Sequence, residues 1–509
     1  MPEKKDYDSQ FCGNLAIHQT NSIQDYGYLL IIDTSSLEII QGSENITDII
    51  GASIQDLIGA DFSKFLSPAD AERLKKEIAI GARTRIPYSC KLVNAADAFD
   101  LNVLLHIKKD QVILEIEKAH AIPERSFSEV FQEVRSFISI IERTENLEEI
   151  CELSIYEIRR LAGFNGIRMY RFDEGWNGTV IAEEIEGELE SYLGQTFPAS
   201  DVPKQARALY IKNPYRLIPN RNYKPSRLFP VINPGSNGFL DLSDCNLRSV
   251  AAVHLEYMAN MNVMASMSIR VMVDGALWGL ISCHHITEKY LTVELRSIFE
   301  WLSMEISYRI AAVLKNEQLV VSARMLVMKA AITEQVFSKA SIVQGLMADA
   351  NKTLINLLNG TGIAVISKGK IATSGEVPAM EELENLFIWA SEKAVGNIFY
   401  THGLRDIFDE AAAYTPVASG IMIIPTDQGN DDLMICFRPE VVKSIRWGGD
   451  PNNAFSMEKD GVNYHPRNSF KLWLETVNGQ SQPWLPAEIE VAESLRKFFL
   501  EFSLNQPYN

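Results

Sequence analysis

Short apolar runs and alternating segments predict strands in the first quarter of the chain. The predicted strands are Tyr28–Asp33, 101–107 and 111–116. Between them, residues 67–81 have helical spacing, with Ser67 as the N-cap and Pro68 at the first helical position. The pattern therefore predicts a small α+β domain, which ends at a linker near residues 120–123.

The middle of the chain predicts a second α+β domain, with helices flanking a mainly antiparallel sheet. Its predicted helices are 127–142, Leu147–Ala162, 204–210 and 250–261, and its predicted strands are Gly166–Phe172, 179–184, Ala265–Val273 and 275–284. Residues 214–247 are rich in Pro, Asn, Arg and Ser and show little periodicity. A loop of that length is expected to be functional or to wrap around something.

A long helical pattern leads into a third domain. It runs from Thr292 to about Gln335 without a proline or a glycine, and helices of that length usually connect domains or form coiled coils. Strands are predicted at 362–366, 420–424 and Leu433–Arg438, with a closing helix at 486–500. Between Pro439 and Pro486 the chain makes a polar, hairpin-like excursion, which needs a partner surface.

Composition narrows the class of protein. A length of 509 residues predicts roughly three domains. The net charge of −18 argues against a nucleic-acid partner. No apolar run approaches the roughly 18 residues that a membrane span needs, and the first ten residues lack the apolar stretch of a signal peptide. We therefore expect a cytoplasmic protein with no membrane partner.

The six cysteines have neither the spacing of a zinc site nor that of a disulfide framework. Most are expected to be buried as small apolar side chains. Cys12 differs because it lies in a polar segment, where its thiol would be accessible enough to react. The alternative is an incidental exposed cysteine.

The sequence Phe197-Pro198-Ala199-Ser200-Asp201-Val202-Pro203 places a carboxylate between two prolines that fix the backbone. Asp201 either holds a polar group of a buried ligand or caps the following helix. His254 has two readings as well, a ligand contact or a satisfied helix histidine. The adjacent His284 and His285 point to opposite faces of a strand, so no metal site is predicted.

This turn resembles the hallmark turn of the phytochromes, red-light receptors that hold a linear tetrapyrrole. The resemblance to bacteriophytochromes extends over essentially the whole chain. It implies three tandem α+β sensor domains with antiparallel sheets and long connecting helices: PAS (1–122), GAF (123–312) and PHY (313–509). It also implies a figure-of-eight knot between the N-terminal segment and the loop 214–247. The excursion at about 439–486 resembles the PHY tongue.

The same resemblance implies biliverdin IXα as the cofactor, joined by a thioether to Cys12, five residues before Ile17-His18. Plant-type relatives carry the bilin cysteine immediately before the histidine that matches His254. Here that residue is Val253, which favours Cys12. The implied pocket residues are Asp201 and His254 beside the bilin cation; Arg216, Arg248, Tyr210, Ser266 and Ser268 for the propionates; and Tyr170, Phe197, Tyr257 and His284 around the D-ring.

The tongue carries the implied switch. Arg467 is expected to pair with Asp201 in the dark-adapted red-absorbing state, and Ser469 is expected to take over that contact when the tongue refolds from strand to helix. The sequence departs from the family pattern at Thr20-Asn21, Asp25-Tyr26 and Lys471. At the last of these positions the family usually has a glutamate.

The implied function is a red/far-red photoreceptor, in which isomerisation at the bilin D-ring sends a signal through helices to an output domain or response partner. The long apolar-striped helices suggest a homodimer. No kinase or cyclase signature is present, so no enzyme activity is expected of this chain. The alternative is a PAS/GAF sensor of a small molecule or cyclic nucleotide, without a chromophore. An enzyme acting on tetrapyrroles is disfavoured because no redox cofactor motif is found.

Overall fold

The computed structural model describes residues 16–93, 100–119, 127–187, 189–348, 352–429, 432–451, 455–457, 464–467 and 469–504. The chain divides into two compact units. The first consists of residues 1–313 and 446–473, and the second of residues 314–445 and 474–509.

The described residues form the strands and α-helices that follow, numbered in chain order. The strands are β1 (Ser22–Ile23), β2 (Tyr28–Asp33), β3 (Ile39–Ser43), β4 (Arg83–Lys91), β5 (Asp100–Ile107), β6 (Gln111–Lys118), β7 (Gly166–Phe172), β8 (Gly178–Ile185), β9 (Thr196–Phe197), β10 (Tyr215–Ile218), β11 (Ser226–Phe229), β12 (Ala265–Val273), β13 (Ala276–His285), β14 (Gly362–Ser367), β15 (Lys370–Gly375), β16 (Phe399–Thr401), β17 (Gly420–Pro425), β18 (Leu433–Arg438), β19 (Lys443–Gly448), β20 (Phe455–Met457), β21 (Tyr464–Pro466) and β22 (Leu472–Val477). The α-helices are α1 (Thr47–Ile50), α2 (Ile54–Leu57), α3 (Pro68–Ala79), α4 (Phe127–Ile141), α5 (Leu147–Ala162), α6 (Lys204–Lys212), α7 (Ala252–Asn260), α8 (Val293–Lys339), α9 (Ile342–Met347), α10 (Thr353–Leu357), α11 (Met380–Lys393), α12 (Thr415–Ala418) and α13 (Pro486–Leu504).

The N-terminal part of the first unit is a seven-stranded antiparallel sheet in the order β1-β11-β3-β2-β6-β5-β4. Strand β2 is apolar along its length because both of its faces are covered. Leu30 and Ile32 belong to the core under α1 to α3, whereas Leu29 and Ile31 pack with apolar residues of the segment 228–247. Helix α3 begins as predicted, since Ser67 Oγ accepts a hydrogen bond from the Asp70 main-chain N–H at 3.1 Å.

The segment 214–247, which shows little periodicity in the sequence, is formed in part by strands. It contains β10 and β11, and β11 lies between β1 and β3, where it joins the first sheet. These strands have four residues each and find their partners far away in the chain, so local periodicity could not indicate them. The figure-of-eight knot through this segment stays a prediction.

Asp25 and Tyr26, two of the residues that depart from the family pattern, have partners far away in the chain. The Asp25 carboxylate accepts a hydrogen bond from the Lys224 main-chain N–H at 2.9 Å. The ring of Tyr26 lies edge-on to Tyr290, with the ring centroids 6.0 Å apart. Next to them, Gly27 has no room for a side chain, since a Cβ atom would lie 2.5 Å from Leu247. The departures at Asp25 and Tyr26 therefore have structural partners of their own.

The second sheet of this unit follows the order β10-β12-β13-β7-β8-β9, to which β19 and β22 are added. Strands β7, β8, β12 and β13 lie where the sequence predicted strands. Their residues alternate between two environments: Ile167 and Met169 of β7 are fully buried, whereas Arg168 and Tyr170 lie on the opposite face. Trp447 of β19 pairs with Thr196 in parallel orientation.

The second unit contains a five-stranded antiparallel sheet in the order β15-β14-β18-β17-β16. Every residue of its central strand β18 is buried because helices cover both faces. Met434 and Cys436 pack in the cluster that contains residues of α13, and Ile435 and Phe437 pack in the cluster that contains residues of α11. The predicted strands and the closing helix are confirmed.

The cysteines and the long helices of the described residues bear on two predictions made from composition. Cys90, Cys151, Cys245, Cys283 and Cys436 are all buried and unpaired with one another, as expected for small apolar side chains. Within the described ranges, no helix has both the length and the apolar character needed to cross a bilayer, although α8 is 47 residues long.

Candidate functional site

One cavity in the first unit is lined by almost every residue that the sequence analysis assigned to a pocket. It lies between the second sheet, α6, α7 and the segment 214–247. The predicted residues on its wall are Tyr170, Phe197, Asp201, Tyr210, Arg216, Arg248, His254, Tyr257, Ser266, Ser268 and His284. Cys12, the remaining prediction, lies outside the described residues. The structure therefore brings together positions that are more than a hundred residues apart in the chain.

A row of polar residues crosses the cavity face of the sheet. The cross-strand pairs are Arg216 with Ser268, Ser268 with Ser282, Ser282 with Arg168, and Arg168 with Glu183. Residues paired in this way lie on the same face of a sheet. The alternation of these strands thus places one apolar face against the core and one polar face toward the cavity.

His284 lies at the edge of this row and is held by two neighbours. Its Nδ1 is 3.2 Å from Nη1 of Arg168, and its Nε2 is 2.8 Å from Oγ of Ser282. Burial, together with the positive charges of Arg168 and His254 when protonated, lowers the pKa of His284 to about 3. The ring is therefore neutral at physiological pH. His285 points to the other face, where it contacts Phe164, as predicted.

Asp201 lies in a rigid turn after β9. Residues Ala199–Asp201 form a short 3-10 helix, and Pro203 occupies the N-cap position of α6. Asp201 is therefore not the cap of α6. Its Oδ2 instead accepts a hydrogen bond from the Tyr257 hydroxyl at 2.7 Å.

Asp201 also forms an ion pair with Arg467, through the same Oδ2 and Nη2 of the guanidinium. Both side chains are almost fully buried. Burial raises the pKa of Asp201, and the guanidinium and the Tyr257 hydroxyl oppose that effect. The rings of Phe197 and Phe470 flank the guanidinium, with their centroids 5.3 and 5.1 Å from Cζ. Ser469, the other predicted partner of Asp201, is exposed.

The hairpin segment that carries Arg467 rests on one side of α7. The Glu256 carboxylate contacts Nδ1 of His465 at 2.9 Å, and Asn260 donates to the main-chain carbonyl of Arg467 at 3.1 Å. Tyr257 lies edge-on to Phe470, with ring centroids 5.1 Å apart. Three positions of a helix that also lines the cavity thus contact the hairpin.

His254 faces the cavity from the same helix. Its ring is nearly parallel to that of Tyr257, with an interplanar angle of 6° and centroids 6.1 Å apart. Burial and the nearby Arg216 lower its pKa to about 4. Within the described residues, no hydrogen bond involving the His254 side chain is recorded, so the reading of a satisfied helix histidine gains no support.

Two arginines give the other end of the cavity its positive charge. Arg216 donates to the main-chain carbonyls of Asn246 and Arg248, and Arg248 donates to Leu242 at 3.2 Å. Burial, together with the positive charge of Arg216, lowers the pKa of Arg248 to about 9. Ser266 and Ser268 lie beside them on β12, and Tyr210 faces them from α6. Hydroxyl and guanidinium groups in this arrangement suit carboxylate ligands.

Ile17 lines the cavity near the first described residues, and its neighbour His18 accepts a hydrogen bond from the Leu242 main-chain N–H at 2.8 Å. The chain thus reaches the cavity five residues after Cys12. Cys245 also lines the cavity, but burial raises its pKa well above the ordinary thiol value. A buried thiol with a raised pKa is a poor nucleophile.

Sequence reasoning missed Arg168 and Glu183. An arginine in the middle of a strand indicates a solvent-facing position, yet Arg168 is fully buried and its Nε lies 2.6 Å from the Glu183 carboxylate. The spacing of two residues between Arg168 and Tyr170 was the available signal, because it places both on the same face of the strand. Arg207, which stacks over Trp176 of the cavity wall at 4.6 Å, was missed as well.

Comparison with known proteins finds related domains along the chain. Three family models match along the chain: a PAS fold over residues 12–119, a GAF domain over 146–310 and a phytochrome region over 326–507. The bacteriophytochrome of Xanthomonas campestris pv. campestris is 31% identical over an alignment of 505 positions, and the match covers 96% of this chain and 78% of that relative. The chain belongs to the phytochrome family.

Other phytochromes resemble the chain to a similar degree. Cyanobacterial phytochrome A of Nostoc sp. is 34% identical over 96% of the chain, and the match covers 64% of that relative. The chain thus spans about two thirds of the length of the first curated relatives it matches. The structure of the phytochrome photosensory core module of Stigmatella aurantiaca is similar, with a TM-score of 0.84, 34% identity and coverage of 98% of this chain and 99% of that one.

A bacteriophytochrome from the photosynthetic bacterium R. palustris has a TM-score of 0.83 and 33% identity, with coverage of 96% and 98% of the two chains. These phytochrome structures therefore match the chain along nearly its whole length. The expected α+β architecture of PAS, GAF and PHY domains is confirmed. No enzyme domain is among the three matches.

Proposed function

We propose that the chain is the photosensory core of a red/far-red light receptor and that its cavity binds a linear tetrapyrrole, biliverdin IXα. The observation that carries the proposal is the convergence of eleven predicted pocket residues on one cavity. We further propose the domain bounds 1–122, 123–312 and 313–509, with the tongue at about 439–486.

The charged residues at one end of the cavity and the aromatic residues at the other suit the polar and apolar parts of such a ligand. The two arginines and the serines at one end match two propionate groups, and the aromatic residues near β9 match an apolar ring. Ser200 Oγ and Asn213 Oδ1 also line the cavity, and both are buried without a hydrogen-bond partner among the described residues. Buried polar atoms normally have partners, so they suit a ligand with several N–H and C=O groups.

When bound, the bilin supplies light absorption and isomerisation about a double bond at its D-ring. The chain supplies the surroundings. Asp201 contributes a buried negative charge that offsets a cationic ligand, and the neutral His254 adds no opposing charge. His284 would donate a hydrogen bond to a carbonyl of the ligand, and Tyr170, Phe197 and Tyr257 would enclose one of its rings.

The tongue converts the event in the pocket into a change of conformation. Arg467 holds Asp201 in the arrangement described above. We propose that light exchanges Arg467 for Ser469 at this carboxylate, that the tongue refolds from strand to helix, and that the signal passes through helices to an output domain or response partner. We also propose that the protein works as a homodimer in the cytoplasm.

Co-expression with a heme oxygenase tests the cofactor proposal. A green protein with a red to far-red absorption band is expected, and the pigment should remain with the protein through gel filtration. A colourless protein would instead favour a sensor of a small molecule or cyclic nucleotide. The double variant Arg216→Ala with Arg248→Ala tests the ligand site itself. It removes both cavity arginines and should weaken retention of the pigment.

Cys12→Ser tests the attachment. The variant is expected to lose zinc-induced bilin fluorescence on a denaturing gel and to keep pigment in the native protein, because the cavity contributes many contacts besides a thioether. Cys151→Ser, a buried cysteine away from the cavity lining, is the control and should keep the fluorescent band. A band that persists in Cys12→Ser would place the attachment at another cysteine, with Cys245 and Cys283 next in order.

A further inference from the structure

We propose that Arg168, held by Glu183, is a positioning residue that locks His284 as a neutral imidazole with its proton on Nε2, so that His284 can only donate a hydrogen bond into the cavity. The inference rests on the proposed function, since it specifies what the cavity requires of its ligand. A ligand that binds Nε2 must present an acceptor, such as a carbonyl oxygen, that takes the place of Ser282 Oγ as the partner of this proton.

The position of the proton follows from the chemistry of the partner. A guanidinium has only N–H donors and does not lose its proton in proteins. Nη1 of Arg168 lies 3.2 Å from Nδ1 of His284, so Nδ1 must accept. A neutral imidazole that accepts at Nδ1 carries its proton at Nε2. Nε2 therefore donates to Ser282 Oγ at 2.8 Å, on the wall of the cavity.

Three further contacts hold Arg168 in place. Its Nε lies 2.6 Å from Oε1 of Glu183, and its Nη2 donates to the main-chain carbonyl of Glu190 at 2.6 Å. The guanidinium also lies over the ring of Tyr192, at 4.7 Å from the centroid. Each nitrogen of the guanidinium thus has a partner, and the Glu183 carboxylate is fixed in turn by Ser191 and the Tyr192 main-chain N–H. Such a support leaves the guanidinium little freedom to turn away from His284.

The charges around His284 favour the neutral ring. Burial is the main cause of the low pKa of His284. Arg168 on β7 and His254 on α7 face the ring, and their positive charges lower this pKa further. Glu183 on β8 is the negative group that pairs with Arg168, through its Oε1. Ser266 of β12, the cross-strand neighbour of His284, carries no charge. Removing Arg168 would leave His284 and the buried Glu183 carboxylate as natural partners.

Arg168→Met tests the lock. With Arg168 gone, Glu183 favours the imidazolium form, and the pKa of His284 should rise into the range of about 5 to 8 where histidines ordinarily titrate. The red absorption band of the biliverdin-loaded protein should then shift with pH in this range. The wild-type band should stay constant there. Arg171→Met, on an exposed arginine of the same strand, should behave as the wild type.

The double variant Arg168→Met with Glu183→Gln separates the electrostatic role from a structural one. It also removes an arginine from β7 but leaves no carboxylate to stabilise an imidazolium, so its band should not titrate. Equal pH dependence in the single and double variants would overturn the proposal. Arg168→Lys keeps a buried cation beside Nδ1 and should show the pH-independent band of the wild type.

Nitrogen-15 NMR of the full chain labelled at histidine decides the tautomer without any pigment. Eight histidines are present, and comparison with His284→Gln assigns the signals of His284. The expected pattern is a protonated Nε2 and an unprotonated Nδ1, unchanged between about pH 5 and 8. A protonated Nδ1 would refute the inference even if the protein binds biliverdin. A colourless protein with the expected tautomer would instead count against the proposed function alone.

Discussion

Asp201→Ala is expected to give a protein that binds biliverdin but does not complete photoconversion. The substitution removes the carboxylate from a rigid turn on the cavity wall, together with its bonds to Tyr257 and Arg467. Truncating one partner of a buried ion pair costs about 3–5 kcal/mol because the other charge stays buried and unpaired. A change of about 1.4 kcal/mol is tenfold in an equilibrium, so the balance between the two states should change by more than about a hundredfold.

Absorption and fluorescence spectra after red light measure this effect. We expect Asp201→Ala to bleach or to fluoresce instead of forming the far-red-absorbing state. Glu174→Ala, an exposed acidic residue in the turn after β7, is the matched control and should photoconvert normally. Arg467→Ala should bind biliverdin and disturb the balance of the two states less severely, because it leaves the carboxylate in the cavity wall. Unchanged difference spectra in Asp201→Ala would remove Asp201 from its central role.

The second large effect concerns stability within the first unit. Arg296→Leu should lower the thermal unfolding midpoint by roughly 10 °C, because a cost of about 3–5 kcal/mol corresponds to a shift of that order in a domain of this size. Arg296 of α8 is fully buried, and its Nη2 lies 2.5 Å from the Glu117 carboxylate of β6. Tyr290 donates to the same carboxylate at 2.6 Å. Without Arg296, a buried carboxylate would lack its cation.

A double variant shows whether the charge or the packing matters. Arg296→Met with Glu117→Gln removes both charges and keeps similar volumes, so most of the lost stability should return. Arg143→Met, on an exposed arginine, should leave the unfolding midpoint unchanged. If the double variant were as unstable as Arg296→Leu, packing around α8 would explain the loss and the ion pair would not.

Much of the fold was predictable because its long elements have clear local signals. The alternation of β7, β12 and β13 and the uninterrupted helical pattern of α8 gave their positions. The segment 214–247 was not predictable in the same way. Its strand β11 pairs with β1 and β3, which lie about two hundred residues earlier, and such pairing leaves no periodicity in four residues.

The site residues that stand in a sequence motif could be predicted. Those that reach the site only through the register of strand pairing could not. The sequence around Asp201 and the Pro466-Arg467 dipeptide resembled the family pattern, and the structure brings Asp201 and Arg467 into contact. Arg168 stands two residues before Tyr170, and nothing in the sequence assigned it a role. Its place beside His284 results from the pairing of β7 with β13, which a single sequence does not reveal.

The reversible difference spectrum of the full chain loaded with biliverdin tests the central claim most directly. The spectrum is recorded after saturating red light and again after saturating far-red light, with the pigment-free chain as the reference. The account predicts a red band that falls and a far-red band that rises under red light, with full reversal under far-red light over repeated cycles. A chain that binds no biliverdin, or whose bound pigment shows no reversible difference, would contradict it.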